Sequence, residues 1–175
     1  MGFIAFMKEE IGVIKENDPA VHSTIEVLLY PGFKALLYHR LSHRLYLKKR
    51  FFIARWLSQH VAKKTGVEIH PGATIGKGCF IDHGNGIVIG ETTILGDYVT
   101  LYQGVTLGGT GKEKGKRHPT IENHVMVGAG SRILGAVTIG EHSKIGAGSV
   151  VLKDVPAYCT VVGIPGRVIK KYECD

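Results

Sequence analysis

Helices followed by a parallel β-solenoid is the fold class that this 175-residue sequence predicts, and three observations predict it. Up to about residue 65 the apolar residues recur at helical spacing. From Val67 onward an aliphatic residue returns at every sixth position. That step is broken at only two places, and both interruptions hold acidic, basic or imidazole side chains.

The helical part divides in three. In "FIAFMKEEIGVIKEND" an apolar stripe runs through Phe3, Met7, Ile11 and Ile14 and stops at Asp18-Pro19, where proline disfavours continuation. "YPGF" marks a turn. Within "GFKALLYHRLSHRLYLKK", Phe33, Leu37, Leu41 and Leu45 repeat every four residues beside a stripe of Arg40, Arg44 and Lys48, the pattern of an amphipathic helix. "RFFIARWLSQHVAKK" is a third helical stretch, closed by Gly66.

Stepping by six from Ile69 gives Ile75 and Ile81. Restarting at Ile89 gives Leu95, Leu101 and Leu107, and restarting at Ile121 gives Val127, Ile133, Ile139, Ile145 and Val151. Four residues further on the side chain is usually small or β-branched, as at Ala73, Cys79, Thr93, Ser131, Ser143 and Ser149. A 3.6-residue helix would scatter such a row around its cylinder, and a flat strand needs period two. Short strands joined by tight corners satisfy it, with three hexads per triangular coil and the aliphatic residue pointing inward on every side. The organisation predicted is a helical region over 1–66, a solenoid over 67–165 with an excursion at 108–119, and a tail over 166–175.

The chain carries 22 basic and 15 acidic residues for a net charge of +7. The basic surplus concentrates between residues 27 and 67, which hold no Asp or Glu; the solvent face of the amphipathic helix accounts for it. No RNA-binding aromatic signature or zinc-finger spacing supports a nucleic-acid partner. Three cysteines, Cys79, Cys159 and Cys174, are far apart and odd in number, which speaks for a reducing compartment. The N-terminus is a poor signal peptide, and no apolar run approaches the roughly 18 residues of a membrane span. A cytoplasmic protein with no membrane partner is the expectation.

The strings "DPAV", "GFKALLYHR", "IHPGATIGKG", "DHGNGIVIGET", "VTLGGTGK", "RHPTI" and "VMVGAGSRILG" resemble those of the serine O-acetyltransferases, over about Asp18 to Arg167. These are hexapeptide-repeat acyltransferases built on a left-handed parallel β-helix. The resemblance implies transfer of the acetyl group of acetyl-CoA to the hydroxyl of L-serine, giving O-acetylserine for cysteine biosynthesis, with acetyl-CoA as co-substrate and no metal. It also implies a homotrimer whose active sites lie between subunits. Longer members carry more helix ahead of the solenoid and join two trimers, so a trimer is expected here. Members that pair with a sulfhydrylase do so through an extended tail ending in isoleucine; this chain ends "KKYECD", and no such complex is expected.

Extra residues have no room inside a packed prism, so both register breaks must bulge outward, where functional side chains concentrate. The first holds Asp82 and His83. The second, "GGTGKEKGKRHPT", holds Arg117 and His118. An imidazole titrating near pH 6.5 accepts a hydroxyl proton and returns it to a leaving thiolate, so His83 is the candidate base. The family places an Asp before "IHP" as partner of that base, and this chain has Glu68 there. By the same resemblance Asp82 and Asp18 face the amine of serine, and Arg117 and His118 face its carboxylate, which a guanidinium grips bidentately. Gly109, Thr110, Ala129 and Ala147 are the cofactor candidates, because a pantetheine chain pairs with backbone groups only where side chains are small. Lys144 or Arg167 could meet a phosphate. Glycine and alanine are also what corners require, and His124 and His142 read as exposed corner residues.

Three other readings stand beside this one. Zinc carbonic anhydrases share the fold and need three histidines; His83, His118 and His124 are the available set. An acetyltransferase acting on another hydroxyl, of a sugar or an antibiotic, is nearer. A solenoid serving only as an assembly partner leaves His83 without a role.

Overall fold

The computed structural model describes residues 2–111 and 114–172, apart from the side chain of Phe3. Cys174, Glu173 and Asp175 lie outside the described residues. Among the described residues four helices come first: α1 (Phe3–Asn17), α2 (Thr24–Val27), α3 (Pro31–Leu47) and α4 (Phe51–Thr65). Asp18 ends α1 in an extended conformation, φ −117°, as a residue before proline must. Pro31 opens α3 at its first turn, where no N–H is needed. Gly66 closes α4 in the left-handed region, φ 71°, which only glycine adopts without strain.

The four-residue apolar row in α3 is only partly the buried face. Phe33, Ala35, Leu36, His39 and Ser42 are buried, whereas Leu41 is 50% exposed. Residues four apart advance about 40° around a helix, so a row that starts inward at Phe33 turns outward within two steps. The inward side of α4 is likewise small, with Ala54, Ser58, Val61 and Thr65.

Fifteen short strands follow among the described residues: β1 (Val67–Ile69), β2 (Thr74–Ile75), β3 (Phe80–Ile81), β4 (Ile87–Ile89), β5 (Ile94–Leu95), β6 (Thr100–Leu101), β7 (Thr106–Gly108), β8 (Thr120–Ile121), β9 (Met126–Val127), β10 (Arg132–Leu134), β11 (Thr138–Ile139), β12 (Lys144–Ile145), β13 (Val150–Val151), β14 (Cys159–Val162) and β15 (Arg167–Lys171). They form a three-sided parallel solenoid. Its first face is β1-β4-β7-β10-β13, its second β2-β5-β8-β11, and its third β3-β6-β9-β12-β14, with β15 turned back antiparallel on β14. All thirteen aliphatic hexad positions point inward, none more than 4% exposed. Buried serines at the small positions are satisfied by backbone: Ser131 Oγ donates to Gly146 O at 2.9 Å and Ser143 Oγ to Pro156 O at 2.8 Å.

Where the two register breaks fall is visible in the strand pairing. Val67 pairs with Ile87, Val88 with Thr106, Thr106 with Arg132 and Arg132 with Val150. Two of these coils take the regular 18 residues, one has two more and one has eight more. The two-residue excess sits between β3 and β4, on the edge joining the third face to the first. The eight-residue excess sits between β7 and β8, on the edge joining the first face to the second.

The helices cap the open top of the prism. Ala35, Leu36 and Val61 share one core with Val67, Ile69 and Ala73. Gly32 lies so close to Ile81 that no Cβ would fit between them, which seats the start of α3 on β3. α1 brings a buried carboxyl to the same cap. Glu10, 1% exposed, accepts the Gly78 N–H at 3.0 Å, and its Oε2 has no partner among the described residues. Burial pushes its pKa up to about 7. No helix among the described residues is long and apolar enough to cross a membrane.

Candidate active site

The first register break is a compact bulge. Asp82 N–H bonds Leu101 O and Gly86 N–H bonds Gly66 O, so the ladder is intact on both sides. Between them the chain doubles back, with Gly84 N–H reaching Asp82 O at 2.6 Å. His83 and Gly86 lie in the left-handed region at φ 56° and 77°, a conformation uncommon for any residue with a Cβ. The consequence is that the His83 ring stands off the prism, its side chain 75% exposed, with Nε2 4.0 Å from Asp82 Oδ1.

The cap places Asp18 beside this bulge. Its Oδ1 accepts the Ala20 N–H at 2.8 Å and its Oδ2 accepts the Tyr30 hydroxyl. The Tyr30 hydrogen bond first, and the Ala20 N–H next, hold the Asp18 carboxyl below its usual range, with a further contribution from His83. In return Asp18 pushes the Tyr30 phenol up to about 12. Asp18, Asp82 and His83 therefore gather at one edge. Glu68 points outward from the middle of β1. It accepts from Gln59 Nε2 at 3.2 Å and pairs with Arg55 at 3.6 Å; among the described residues no hydrogen bond joins it to His83.

The second break builds a different cluster. Thr92 Oγ1 accepts the N–H groups of both Arg117 and His118, at 3.0 and 3.1 Å. His118 is buried, and its Nδ1 accepts the Thr92 N–H at 3.1 Å, which puts the ring proton on Nε2. Burial, and Arg117 after it, lower the His118 pKa, so the ring is a neutral donor. It lies flat over Gly90, where no side chain would fit. Arg117 is gripped by Glu91 Oε2, while Glu91 Oε1 accepts the Tyr46 hydroxyl at 2.8 Å. The Tyr46 bond and then Arg117 hold Glu91 below the usual carboxylate range. Glu91 and Thr92 belong to "DHGNGIVIGET", and their supporting roles escape a reading that takes only Asp82 and His83 from it. Tyr30 and Tyr46 carry no sequence signal, since each looks like a helix-end aromatic.

The cofactor candidates divide in the same way. Gly109 packs on Arg117, and Thr110 lies beside Gly135, both on the edge of the long excursion. Ala129 and Ala147 are on the His83 edge, where Gly148 N–H bonds Ala129 O at 2.8 Å. A Cβ added at Gly130 or Gly148 would meet nothing within 4 Å, so that edge is open at these two coils. Lys144 lies on the third face, its Nζ 5.7 Å from the Tyr172 ring. His124 and His142 are exposed corner residues on the remaining edge, stacked on each other at 4.7 Å.

α3 measures the gap between the two clusters. Tyr30 caps its N-terminus and reaches Asp18; Tyr46, one residue from its end, reaches Glu91. Sixteen residues of helix span about 24 Å. The two clusters therefore lie at opposite ends of the cap of one chain.

Residues 118–153 match the model of the bacterial transferase hexapeptide family (six repeats). The serine acetyltransferase of Bacillus licheniformis is 59% identical over 168 residues, covering 95% of this chain and 78% of the relative. A soybean serine acetyltransferase complexed with serine superposes with TM-score 0.92 at 45% identity, covering 95% of this chain and 69% of that one. A Brucella abortus serine acetyltransferase in complex with coenzyme A does so with TM-score 0.94 at 43% identity, covering 99% and 70%. With thirteen inward aliphatics, two outward breaks and these likenesses, the solenoid is a left-handed parallel β-helix and the chain belongs to the serine acetyltransferase family.

Proposed function

We propose that this enzyme moves the acetyl group of acetyl-CoA onto the L-serine hydroxyl at a site closed by two copies of the chain, with His83 as base. As serine Oγ attacks the thioester carbonyl, the imidazole takes the hydroxyl proton. Collapse of the tetrahedral intermediate breaks the C–S bond, and the imidazolium returns that proton to the departing sulfur, leaving O-acetylserine and CoA. Such assistance contributes about 10²- to 10⁴-fold. Asp82 and Asp18 receive the ammonium; Arg117 and His118 receive the carboxylate. Glu68 is assigned to steady the imidazolium by turning from Arg55. Gly109 and Thr110 of one copy and Ala129 and Ala147 of another line the pantetheine, whose amides pair with bare backbone.

The observation that carries this reading is the division of the site between two edges. Both edges border the first face. Turning that face toward a threefold axis brings the His83 edge of each copy against the excursion of the next, and this heterologous contact closes as a ring. A homotrimer in the cytoplasm is the assembly we infer. The carbonic anhydrase alternative loses its third ligand, because His124 sits in the stack on the edge facing away from that axis. A thiol-release assay with acetyl-CoA against a panel of amino acids, sugars and antibiotics tests the acceptor: L-serine should dominate, and a preference for a sugar would overturn it. Light scattering tests the assembly, where a monomer that is fully active would refute the shared site.

A further inference from the structure

The mechanism above uses Asp18 but leaves open why a carboxylate in the loop after α1 should face the substrate at all. A short Asp at a helix end rotates freely about its last bond, a broad torsion with no deep minimum. Here both oxygens are held, Oδ1 by the Ala20 N–H at 2.8 Å and Oδ2 by the Tyr30 hydroxyl. The backbone donor alone would leave the second oxygen to swing. Tyr30 is itself immobilised: it is the N-cap of α3, it packs against the cluster formed by Val13, Ile14, Val27, Phe33 and Phe80, and Gly32 seats that end of the helix on Ile81 beside the bulge.

We propose that Tyr30 is a positioning residue for the reaction, setting the Asp18 carboxylate so that the serine ammonium meets it and Asp82 together. An ionised carboxylate offers about four acceptor positions, and two donors leave the outward pair for substrate. Charge-assisted hydrogen bonds of this kind are short and strong, so the phenol orients the acid without using it up. Asp18 held below its usual pKa range, and Tyr30 raised, agree with a bond made to the charged acid. The inference rests on the assignment of Asp18 to the amine side and adds the group that aims it.

The test is a cycle of Tyr30→Phe, Asp18→Asn and the double variant in the assembled enzyme, with KM for L-serine, KM for acetyl-CoA, kcat and melting temperature read for each. Phenylalanine keeps the ring and its packing. Tyr30→Phe should raise the serine KM about tenfold, the loss of a hydrogen bond to a charged group, with kcat changed less than threefold and acetyl-CoA KM and melting unchanged. In the Asp18→Asn background the same change should do nothing further. Multiplicative effects, or equal rises in both KM values, would mean that Tyr30 only supports the fold, and the proposal would be wrong. If Asp18→Asn left the serine KM unchanged, the assignment of Asp18 itself would fail and this proposal with it.

Discussion

Along the edge between the third and first faces the chain turns through positive φ at Gly86, Gly104, Gly130 and Gly148; along the edge between the second and third faces it makes that turn at Tyr98, His124, His142 and Tyr158. The backbone demand is the same, with φ between 68° and 77° on one edge and between 55° and 57° on the other. Residues with a Cβ pay about 1–2 kcal/mol each for this conformation. On the aromatic edge the rings stack at 5.2, 4.7 and 5.0 Å, tilted by no more than 13°, and such pairs contribute about 0.5–1.5 kcal/mol apiece. Strain and stacking are of similar size, so rings can be kept where an edge only has to be closed. On the glycine edge nothing covers the backbone, and that is the edge where His83 stands. An open edge in this fold is made by withholding side chains.

The sharpest break of that comparison is His83→Ala, which removes the proposed base from the glycine edge. Turnover in the thiol-release assay should fall by two or more orders of magnitude with melting unchanged. Normal turnover would mean that the base lies elsewhere.

Next in size is the top of the aromatic edge, where the first rung is Gly78, beneath the Tyr98 ring. Its N–H is held by Glu10, and Glu9 accepts the Tyr98 hydroxyl at 2.6 Å, so α1 replaces the missing ring. Glu10 keeps its proton to about pH 7 in the folded state against 4.5 in the unfolded chain. Between those limits the folded state binds more protons, so its stability falls as pH rises through the window and stays lower above it. Glu10→Gln should remove that slope and gain on the order of 3 kcal/mol at pH 8, checked by denaturant midpoints at pH 5 and pH 8. A variant whose pH dependence matched the parent would show that Glu10 is ionised when folded.

The smallest effects compare the edges directly. Gly148→Ala meets open space, so its cost is the backbone strain alone, about 1–2 kcal/mol, together with a higher KM for acetyl-CoA. His142→Asn keeps a residue that tolerates the left-handed region and loses two ring contacts, about 1–3 kcal/mol, with kinetics unchanged. Should His142→Asn impair acetyl-CoA use while Gly148→Ala does not, the roles of the two edges are reversed.

Much of this was legible in the residues. A period of six has one economical physical cause, and a break in it must leave the core, so the sequence itself points to Asp82, His83, Arg117 and His118. α1 was legible less well: its stripe of Met7, Ile11 and Ile14 is joined inside by Phe6, Val13 and Glu10, and no pattern rule places an acid in a core. The aromatic ladder was hidden because its members are 26, 18 and 16 residues apart, a spacing set by unequal coil lengths, the longest of which includes the second excursion.

Order along the chain was enough to determine the helices, the solenoid, its inward row and the positions where it must bulge, since each depends on contacts repeated at short, regular intervals. Tertiary structure alone decided that the two bulges fall on different edges of the first face, and that Tyr30 and Tyr46, about 24 Å of helix apart, donate to Asp18 and Glu91 beside them. Those facts depend on the angle at which each coil closes on the next and on how the cap is seated, and neither is written in any local pattern.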